Sequence, residues 1–309
     1  MLPPRSSQEH VAVGNINIDI SFRLDKLPGP EENVKAREHW VGLGGAASNY
    51  AIAAARLGQR SLLVARTGRE AVALGLIDKL RSEGVDVSHV EVVDEPSGFV
   101  VVLLVTGAEA YRSMITARGA NAGLRPSMIP ERGDVIHFAS VAPKIVAGGC
   151  GGGRLCTYDP GGEVFSDPGG VLKALRGVDY LFINSSELRA LLGDPDPGAA
   201  TALVGGRLRL VVVKLGGGGA VLVDSAGIIE EAEPPHVEPV DVTGAGDAFD
   251  AAFNAWLLWT GDPSKALVAG VAAGAAKVSR RGSSNMPRAG EILSLMGKVR
   301  CRSPPTRRG

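Results

Sequence analysis

The pattern of hydrophobic and polar positions predicts alternating strands and helices along most of the chain. Short apolar runs recur between segments of helical periodicity, and glycine or proline turns separate them. Strands spaced by helices in this way indicate a mostly parallel, doubly wound α/β sheet with helices on both faces. The predicted strands are Val11–Val13, Ser61–Ala65, Val135–Phe138, Leu155–Tyr158, Tyr180–Ile183, Leu210–Lys214 and Ala220–Val223, and the predicted helices are 46–58, Leu74–Glu83, Leu172–Leu175 and Glu187–Leu192.

Two further segments are rich in β-forming residues and depart from this pattern. Between residues 20 and 41, apolar and charged positions alternate around a proline turn, as in half-exposed strands. Residues 98–105 and 110–116 predict a hairpin with its turn at 106–109. We therefore expect about 20–41 and 97–118 to form a small sheet outside the main body.

Residues 1–297, including the two segments of the small sheet, are assigned to one domain. Residues 298–309 are basic and contain prolines, which predicts a flexible tail. The glycine-rich residues 148–153 predict an exposed loop.

The amino-acid composition argues against several classes of function. Lys and Arg (33) balance Asp and Glu (33) in the 309 residues, so no overall field favours a nucleic-acid partner. Aromatic residues are only 5%, which argues against base-stacking platforms. Three cysteines, an odd and sparse number, argue against a disulfide framework or a zinc site. The N-terminus has no secretory h-region, and the apolar run Ala266–Val278 is too short for a membrane span, so we expect a cytoplasmic protein with no membrane partner.

The segment Asp241–Phe253, DVTGAGDAFDAAF, is the most informative part of the chain. Its glycines precede an apolar-periodic helix, whose free N–H groups and dipole suit a phosphate group. Asp247 places a carboxylate beside this anion site, where it would accept a proton from an attacking hydroxyl group. The alternative is a glycine-rich turn with Asp247 as an ordinary first-turn residue.

Polar residues near the ends of the first strands form a second candidate site. Asn17 and Asp19 follow a predicted strand where α/β sheets bind ligands, although both are also common in turns. Gly44 and Gly45 permit close approach of a ligand, and Asn49 lies about one turn into the next helix. A tight strand–helix turn explains the same glycines without a ligand.

Two later strands also end in candidate residues. Asn184 and Glu187 lie three apart at a helix start and suit Mg²⁺ held through water, whereas helix capping by Ser185 or Ser186 is the alternative. The run 214–219, KLGGGG, offers a glycine loop for nucleotide phosphates or a plain hairpin turn.

Taken in order, these segments resemble the ribokinase-like (phosphofructokinase-B type, PfkB) family of carbohydrate kinases. The resemblance extends from Val11 to about Leu295, and the motifs GGAASNYAIAAARLG and DVTGAGDAF carry it. It implies a doubly wound kinase domain whose small sheet acts as a lid over the acceptor. The implied activity is transfer of the terminal phosphoryl group of ATP or ADP, with Mg²⁺, to an alcohol group of a sugar or nucleoside. The alternatives are a sugar-phosphate kinase, such as a ribose 1-phosphate kinase, and a non-catalytic sugar or nucleotide sensor.

The same resemblance assigns roles to individual residues. Asp247 would be the base and Gly244, Ala245 and Gly246 the anion hole. The remaining assignments are Asn17, Asp19, Gly44, Gly45 and Asn49 for the acceptor, Asn184, Lys214, Gly216, Gly219 and Gly274 for the nucleotide, Glu187 with Asn184 for Mg²⁺, and Asp241 with Thr243 for a monovalent cation such as K⁺.

Two arginines and the lid itself add further expectations. Arg112 and Arg118 lie on or near the second lid segment, where they would meet a substrate phosphate or simply be solvated. An exposed lid sheet predicts a homodimer formed by pairing across a two-fold axis.

Overall fold

The structure is a computed structural model that describes residues 8–106 and 111–302. Its strands are β1 Glu9–Asn15, β2 Asn17–Leu24, β3 Glu38–Gly44, β4 Arg60–Gly68, β5 Val85–Val93, β6 Gly98–Val105, β7 Tyr111–Ala117, β8 Val135–Ala139, β9 Leu155–Asp159, β10 Tyr180–Asn184, β11 Leu210–Lys214, β12 Ala220–Asp224, β13 Gly227–Glu233 and β14 Arg300–Arg302. Its α-helices are α1 Ala46–Arg56, α2 Arg69–Ala73, α3 Leu76–Ser82, α4 Pro143–Gly149, α5 Glu163–Ser166, α6 Pro168–Ala174, α7 Ser185–Leu192, α8 Ala245–Thr260, α9 Pro263–Val278 and α10 Ala289–Met296.

A ten-stranded sheet in the order β14-β13-β12-β11-β10-β9-β8-β1-β4-β5 forms the main body. From β11 to β5 every neighbouring pair is parallel, so the carboxyl ends of these strands share one edge. Beyond β11 the sheet is antiparallel. Strand β12 is antiparallel to β11, as the hairpin alternative for 214–219 implies, because residues 215–219 are too few for a crossover connection.

Both faces of this sheet are buried, as predicted. Phe182 belongs to one core, which the sheet forms with α1, α8 and α9, whereas its neighbours Leu181 and Ile183 belong to a second core on the side of α4, α6 and α7. Burial on both faces explains why the strands read as continuous apolar runs rather than as alternating patterns.

The small sheet predicted outside the main body is present, in the order β3-β2-β6-β7. Strand β2 is parallel to β6, and the two outer pairs are antiparallel. Its first strand begins at Asn17 and its second ends at Gly44, so the sheet extends slightly beyond 20–41. The hairpin turn predicted at 106–109 lies almost wholly outside the described residues. On edge strand β7, Met114 and Ile115 are exposed.

Several sequence-based boundaries need correction. The helix predicted at Leu74–Glu83 begins only at Leu76, because Gly75 takes a left-handed conformation with φ +70° after α2. Gly148 and Gly149 end α4 rather than lying in an exposed loop. The predicted tail is shorter, since residues 300–302 form β14 against β13; residues 303–309 lie outside the description.

The cysteine expectation also needs a correction. Cys150 and Cys156 form one disulfide, with their Cα atoms 5.7 Å apart, whereas Cys301 is free. An odd count leaves one cysteine unpaired but does not exclude a single bridge; Cys150 directly follows α4, and Cys156 lies in β9, six residues later along the chain. None of the described helices is both long and apolar enough to cross a membrane.

Candidate active site

Helix α8 begins at Ala245, directly after the N-cap residue Gly244, and its N-terminus is open. Gly244 has φ +83°, and a Cβ atom there would lie 2.3 Å from the carbonyl oxygen of Ser283, so glycine is required. The first α-helical hydrogen bond runs from Ala248 to Gly244, and no side chain caps the helix. The N–H groups of Gly246 and Asp247 therefore precede the helical hydrogen-bond ladder, at the positive end of a 16-residue helix.

Asp247 lies half-buried in the first turn of α8, held by Asn49 of α1. The Asn49 Nδ2 group donates to Asp247 Oδ2 at 2.7 Å, and Asn49 Oδ1 is buried without a partner among the described residues. Burial raises the pKa of Asp247 to about 7; the Asn49 hydrogen bond works in the opposite direction, and the Asp159 charge adds to the rise. A carboxyl group that titrates near neutral pH is suited to general base catalysis.

A cleft lies between the small sheet and the loops around Thr243 and Ser283. Asp19 lines it from β2, and its Oδ2 accepts a hydrogen bond from Ser283 Oγ at 2.7 Å. Asp19 Oδ1 is buried without a partner among the described residues. Burial raises the pKa of Asp19 to about 6, against the effect of the Ser283 hydrogen bond. An unpaired oxygen in such a cleft is available to a ligand hydroxyl group.

Gly44 and Gly45, the glycines expected at the acceptor site, let the backbone before α1 lie close to Asp19 and to Asn15. A Cβ on Gly44 would lie 2.0 Å from Asp19 Oδ1, and one on Gly45, which has φ +99°, would lie 2.3 Å from the Asn15 carbonyl oxygen. Asn17 does not line the cleft, because it is buried and its Oδ1 accepts from Asn121 Nδ2 at 2.9 Å. Of the polar side chains in this group, Asp19 lines the cleft, whereas Asn49 lies against Asp247 with its Oδ1 buried and without a partner among the described residues.

Arg112 connects the small sheet to the loop before α8. It is exposed on β7, and its Nη1 donates to Thr243 Oγ1 at 3.0 Å. Thr243 lines the cleft that contains Asp19. This contact places the Arg112 guanidinium group at the edge of the cleft, beside Thr243. The position is consistent with the expectation that Arg112 lies close to a bound substrate.

Arg118 lies at a second, smaller cleft. This cleft also contains Asn15, at the carboxyl end of β1, and Lys144, in the first turn of α4. Arg118 forms an ion pair with Glu163, so its charge is partly balanced. The Asn15 carbonyl oxygen accepts a hydrogen bond from Ser48 Oγ, so α1 contacts the backbone that lines this second cleft.

Lys214 points into the protein rather than toward a nucleotide loop. Its Nζ donates to Asp159 Oδ2 at 2.6 Å and to Asp250 Oδ1 at 3.1 Å. A Cβ on Gly246 would lie 3.2 Å from that Nζ, so the lysine lies directly beneath the start of α8. Burial lowers the pKa of Lys214, but the two carboxylates outweigh it and keep the pKa above its usual range. The lysine therefore supplies a fixed positive charge under the anion site.

Sequence reasoning missed Asp159 and Asp250. Asp159 ends β9 at the same edge of the sheet as Asn184, and Asp250 lies three residues after Asp247, on the same side of α8. Burial alone would raise the pKa of Asp159, but Lys214 holds it below its usual value. A carboxylate at a strand's carboxyl end and the helical spacing from Asp247 were the signals in the sequence.

Asn184 and Glu187 form a capping box at the start of α7. Asn184 Oδ1 accepts from the N–H groups of Ser186 and Glu187 at 2.9 and 3.0 Å, and Glu187 Oε2 accepts from Asn184 N–H at 2.9 Å. The capping residue is thus Asn184 rather than Ser185 or Ser186. Burial raises the pKa of Glu187 to about 7, and the Asp159 charge adds to this rise. Within the described ranges, no group of three or more His, Cys, Asp or Glu side chains is arranged to hold a metal ion.

The glycine run after β11 is a hairpin turn. Strand β11 pairs with β12 from Lys214 opposite Ala220, and Leu215 N–H donates to the Gly219 carbonyl oxygen at 2.7 Å. Gly219 has φ +91° and would bring a Cβ to 1.9 Å from the Ala232 carbonyl oxygen, whereas a Cβ on Gly216 meets open space. The turn therefore explains Gly219 without a ligand and leaves the exposed face around Gly216 accessible.

Ala245 and Gly274 lie where α8 and α9 meet. The Ala245 N–H group donates to the Val242 carbonyl oxygen at 3.3 Å, so this donor is partly engaged. A Cβ on Gly274 would lie 3.5 Å from the Ala245 carbonyl oxygen, which is ordinary van der Waals contact. Packing alone thus does not require glycine at position 274.

Asp241 organises the loop that leads into α8. Its Oδ1 accepts from Thr243 N–H and its Oδ2 from Gly282 N–H, each at 2.9 Å. Both carboxylate oxygens are therefore engaged by the backbone, and the loops around residues 241 and 282 are held together beside the cleft.

Comparisons with known proteins give the family and the fold of the chain. Residues 7–289 match the pfkB family of carbohydrate kinases. An ATP-dependent ribose-1-phosphate kinase of Halopiger xanaduensis is 31% identical over 299 residues, covering 93% of this chain and 98% of the relative. A Bacillus subtilis ribokinase is 28% identical over 299 residues, covering 92% of this chain and 98% of the relative.

Solved structures share the fold. A Methanocaldococcus jannaschii nucleoside kinase superposes with a TM-score of 0.83 at 21% identity, covering 96% of this chain and 100% of that chain. A Thermotoga maritima ribokinase superposes with a TM-score of 0.81 at 26% identity, covering 94% and 99% of the two chains. The expected doubly wound fold with its additional small sheet is confirmed. The chain belongs to the pfkB family of carbohydrate kinases.

Proposed function

We propose that this kinase transfers the γ-phosphoryl group of ATP to a hydroxyl group of a sugar or sugar derivative, with Asp247 as the base. The observation that carries the proposal is the position of Asp247 at the uncapped N-terminus of α8, with its pKa raised to about 7. The same turn of helix thus offers N–H donors for a phosphoryl group and a proton acceptor for the attacking hydroxyl.

The proposed reaction follows from these two functions. Asp247 takes the proton of the acceptor hydroxyl as its oxygen attacks the γ-phosphorus, and ADP leaves on the opposite side. The N–H groups of Gly246 and Asp247, with Lys214 beneath them, stabilise the charge that develops on the phosphoryl oxygens. Asn49 keeps the carboxylate oriented through its 2.7 Å hydrogen bond.

Mg²⁺, when bound with ATP, would neutralise charge on the phosphates. Glu187 fits this role through a water molecule. The charge of Asp159 lies close enough to raise the pKa of Glu187, and a divalent cation would relieve the repulsion between these two carboxylates. Asn184 Oδ1 already accepts two backbone N–H groups, so we assign Asn184 to positioning α7 rather than to the ion.

The acceptor would lie in the cleft lined by Asp19. Asp19 Oδ1 and Asn49 Oδ1 are buried and unpaired among the described residues, so each can accept a hydrogen bond from a sugar hydroxyl group. Arg112 spans from β7 to Thr243 and would close the small sheet over the bound acceptor, which excludes water from the transfer.

A sugar phosphate is the second candidate acceptor. The observation that favours it is the second cleft, where Arg118 and Lys144 supply two cations beside Asn15. A relative that is 31% identical is named as a ribose-1-phosphate kinase. A phosphate on the sugar would lie between these cations and displace the Arg118–Glu163 contact.

A nucleotide-turnover assay tests the proposed function. Ribose, a nucleoside and ribose 1-phosphate are offered separately with ATP and with ADP, and phosphorylated product is measured. We expect turnover with ATP and at least one of these acceptors. Nucleotide binding without product from any acceptor would contradict the proposal and favour a non-catalytic sensor.

The variant Lys144→Ala distinguishes the two acceptor classes. If a sugar phosphate is the substrate, this variant raises the KM for ribose 1-phosphate and leaves the KM for ATP unchanged. Lys173→Ala, on α6 and outside both clefts, is the matched control. An unchanged KM for ribose 1-phosphate in Lys144→Ala would exclude the second cleft as its phosphate site.

Two other expectations stay predictions. A homodimer through the small sheet is favoured by Met114 and Ile115, which are exposed on its edge strand. Sedimentation of the protein and of Ile115→Glu measures this directly. A cytoplasmic location is likewise predicted from the sequence alone.

A further inference from the structure

Lys277, in the last turn of α9, is a fully buried lysine that no sequence motif singles out. Its Nζ donates to the backbone carbonyl oxygens of Asp241 and Arg280, at 3.4 and 3.3 Å. In residues 8–106 and 111–302, no carboxylate lies within 4.0 Å of this ammonium group. Its neighbours are therefore carbonyl oxygens, which is the environment of a bound monovalent cation rather than of an ion pair.

The segments that surround this ammonium group also build the active site. The N–H groups of Val240 and Asp241 donate to the Val278 carbonyl oxygen at 2.7 and 3.0 Å. Asp241 Oδ2 accepts from Gly282 N–H, which ties the 240–243 segment to the 280–283 segment. The first of these segments leads into Gly244 and the anion site.

The second segment connects to the acceptor cleft. Ser283 contacts Asp19 through its hydroxyl group, and its carbonyl oxygen is the atom that excludes any side chain at Gly244. The ammonium group thus lies between two loops whose separation determines the geometry of both the anion site and the cleft.

Burying an ammonium group without a carboxylate partner costs folding free energy, so we expect this lysine to have a function at its position. Burial lowers the pKa of Lys277, while the negative charges of Asp241 and Asp247 act to raise it. A second cation at the same carbonyl oxygens would lie within a few ångströms of the ammonium charge and be repelled by it. The residues at this position therefore do not fit the K⁺ ion that the sequence motif led us to expect at Asp241 and Thr243.

We propose that Lys277 is a positioning residue whose ammonium group serves as the built-in monovalent cation of the 240–243 and 280–283 loops, so that phosphoryl transfer requires no K⁺. The inference rests on the kinase function proposed above. Removing the ammonium group leaves the Asp241 and Arg280 carbonyl oxygens buried without this donor, and the loops before α8 lose their fixed separation.

The test compares K⁺ with choline as the chloride salt at equal ionic strength. Wild-type turnover is expected to be the same in both salts. Lys277→Met keeps a chain of similar length and removes the charge, and its turnover in choline is expected to fall roughly 10–100-fold, as for an unsatisfied buried polar group. Adding K⁺ or NH₄⁺ is expected to restore turnover in this variant, because the freed carbonyl oxygens then bind the added ion.

Lys265→Met is the matched control. Lys265 lies in the first turn of the same helix with 65% of its side chain exposed, and its charge pairs with Asp262. Its turnover is expected to be normal and equal in the two salts.

Two results would overturn the inference. One is stimulation of the wild-type enzyme by K⁺, and the other is a Lys277→Met variant whose turnover does not respond to K⁺ or NH₄⁺. Thermal unfolding gives a readout that does not depend on catalysis, so it separates this inference from the proposed function. K⁺ is expected to raise the melting temperature of Lys277→Met and not that of wild type, and the absence of this difference would contradict the proposal.

Discussion

At the scale of single residues, environment separates the carboxylates of the site. The pKa of Asp159 is held below its usual range by Lys214, whereas burial raises the pKa of Asp19 to about 6 and that of Asp247 to about 7. Carboxyl groups with different environments take different roles at one pH. Asp159 remains charged as the partner of Lys214, and Asp247 is the group that can accept and release a proton near neutral pH.

The first prediction concerns the pH dependence of turnover. Below its pKa of about 7, Asp247 is protonated and cannot accept the proton of the acceptor hydroxyl, so kcat/KM is expected to fall about tenfold per pH unit on the acid side. In Asn49→Ala the hydrogen bond that lowers this pKa is lost, so the acid limb is expected to move to higher pH. An acid limb that stays in place in Asn49→Ala would argue against Asp247 as the titrating group.

At the scale of elements, the close approach of β3 to β2 shapes the acceptor cleft. Gly44 ends β3 opposite Asn17 of β2, and the space above its Cα is filled by the Asp19 carboxylate. The strand pairing and the glycine together fix where this carboxylate points. The small sheet is therefore part of the binding site as well as its cover.

The second prediction follows from that contact. A methyl group in Gly44→Ala would lie 2.0 Å from Asp19 Oδ1 and must displace the carboxylate. We expect the KM for the acceptor to rise roughly tenfold or more, as for a lost hydrogen bond to a charged group, with the KM for ATP unchanged. Gly290→Ala, on α10 with open space around the added methyl, is the control. Equal changes in both KM values would indicate general misfolding rather than displacement of Asp19.

Some elements could be predicted from the sequence because their signals are local. The apolar runs predicted the strands of the main sheet, and the glycines before Asp247 predicted the start of α8. The orientation of Lys214 was not predictable, because it depends on Asp159 and Asp250, which lie 55 and 36 residues away. The role of Asn184 was ambiguous for another reason. Asn184 and Glu187 have a spacing that suits either the capping of a helix or the binding of a metal ion.

At the scale of the whole molecule, the candidate site gathers several charged side chains that are largely removed from water. Lys277 is buried and Lys214 is mostly buried, and both lie near carboxylates that include Asp159 and Asp247. Keeping a carboxylate charged in a half-buried position costs folding free energy, because the charged form is better solvated in the unfolded chain. The active site is therefore expected to lower the stability of the fold at neutral pH.

The third prediction measures this cost. The pKa of Asp247 is about 7 in the folded protein and 3.8 ordinarily, so the folded state binds more protons between these values. The stabilisation that the folded protein gains from a protonated Asp247 is therefore lost as pH rises from about 4 to about 7. Asp247→Asn lacks this titration and is expected to be more stable than wild type at pH 8, by about 2 kcal/mol after allowing for solvent screening, and equal to it near pH 4.

Urea unfolding at the two pH values provides the measurement, with Asp94→Asn as the exposed control. A difference between Asp247→Asn and wild type that does not change with pH would show that Asp247 is not perturbed in the folded state.

The most direct test of the central claim is single-turnover phosphoryl transfer from ATP by Asp247→Asn, with ATP binding measured on the same sample. Removing the base is expected to slow transfer about 10²–10⁴-fold while the affinity for ATP is retained. Transfer by Asp247→Asn at close to the wild-type rate would contradict the assignment of Asp247 as the catalytic base.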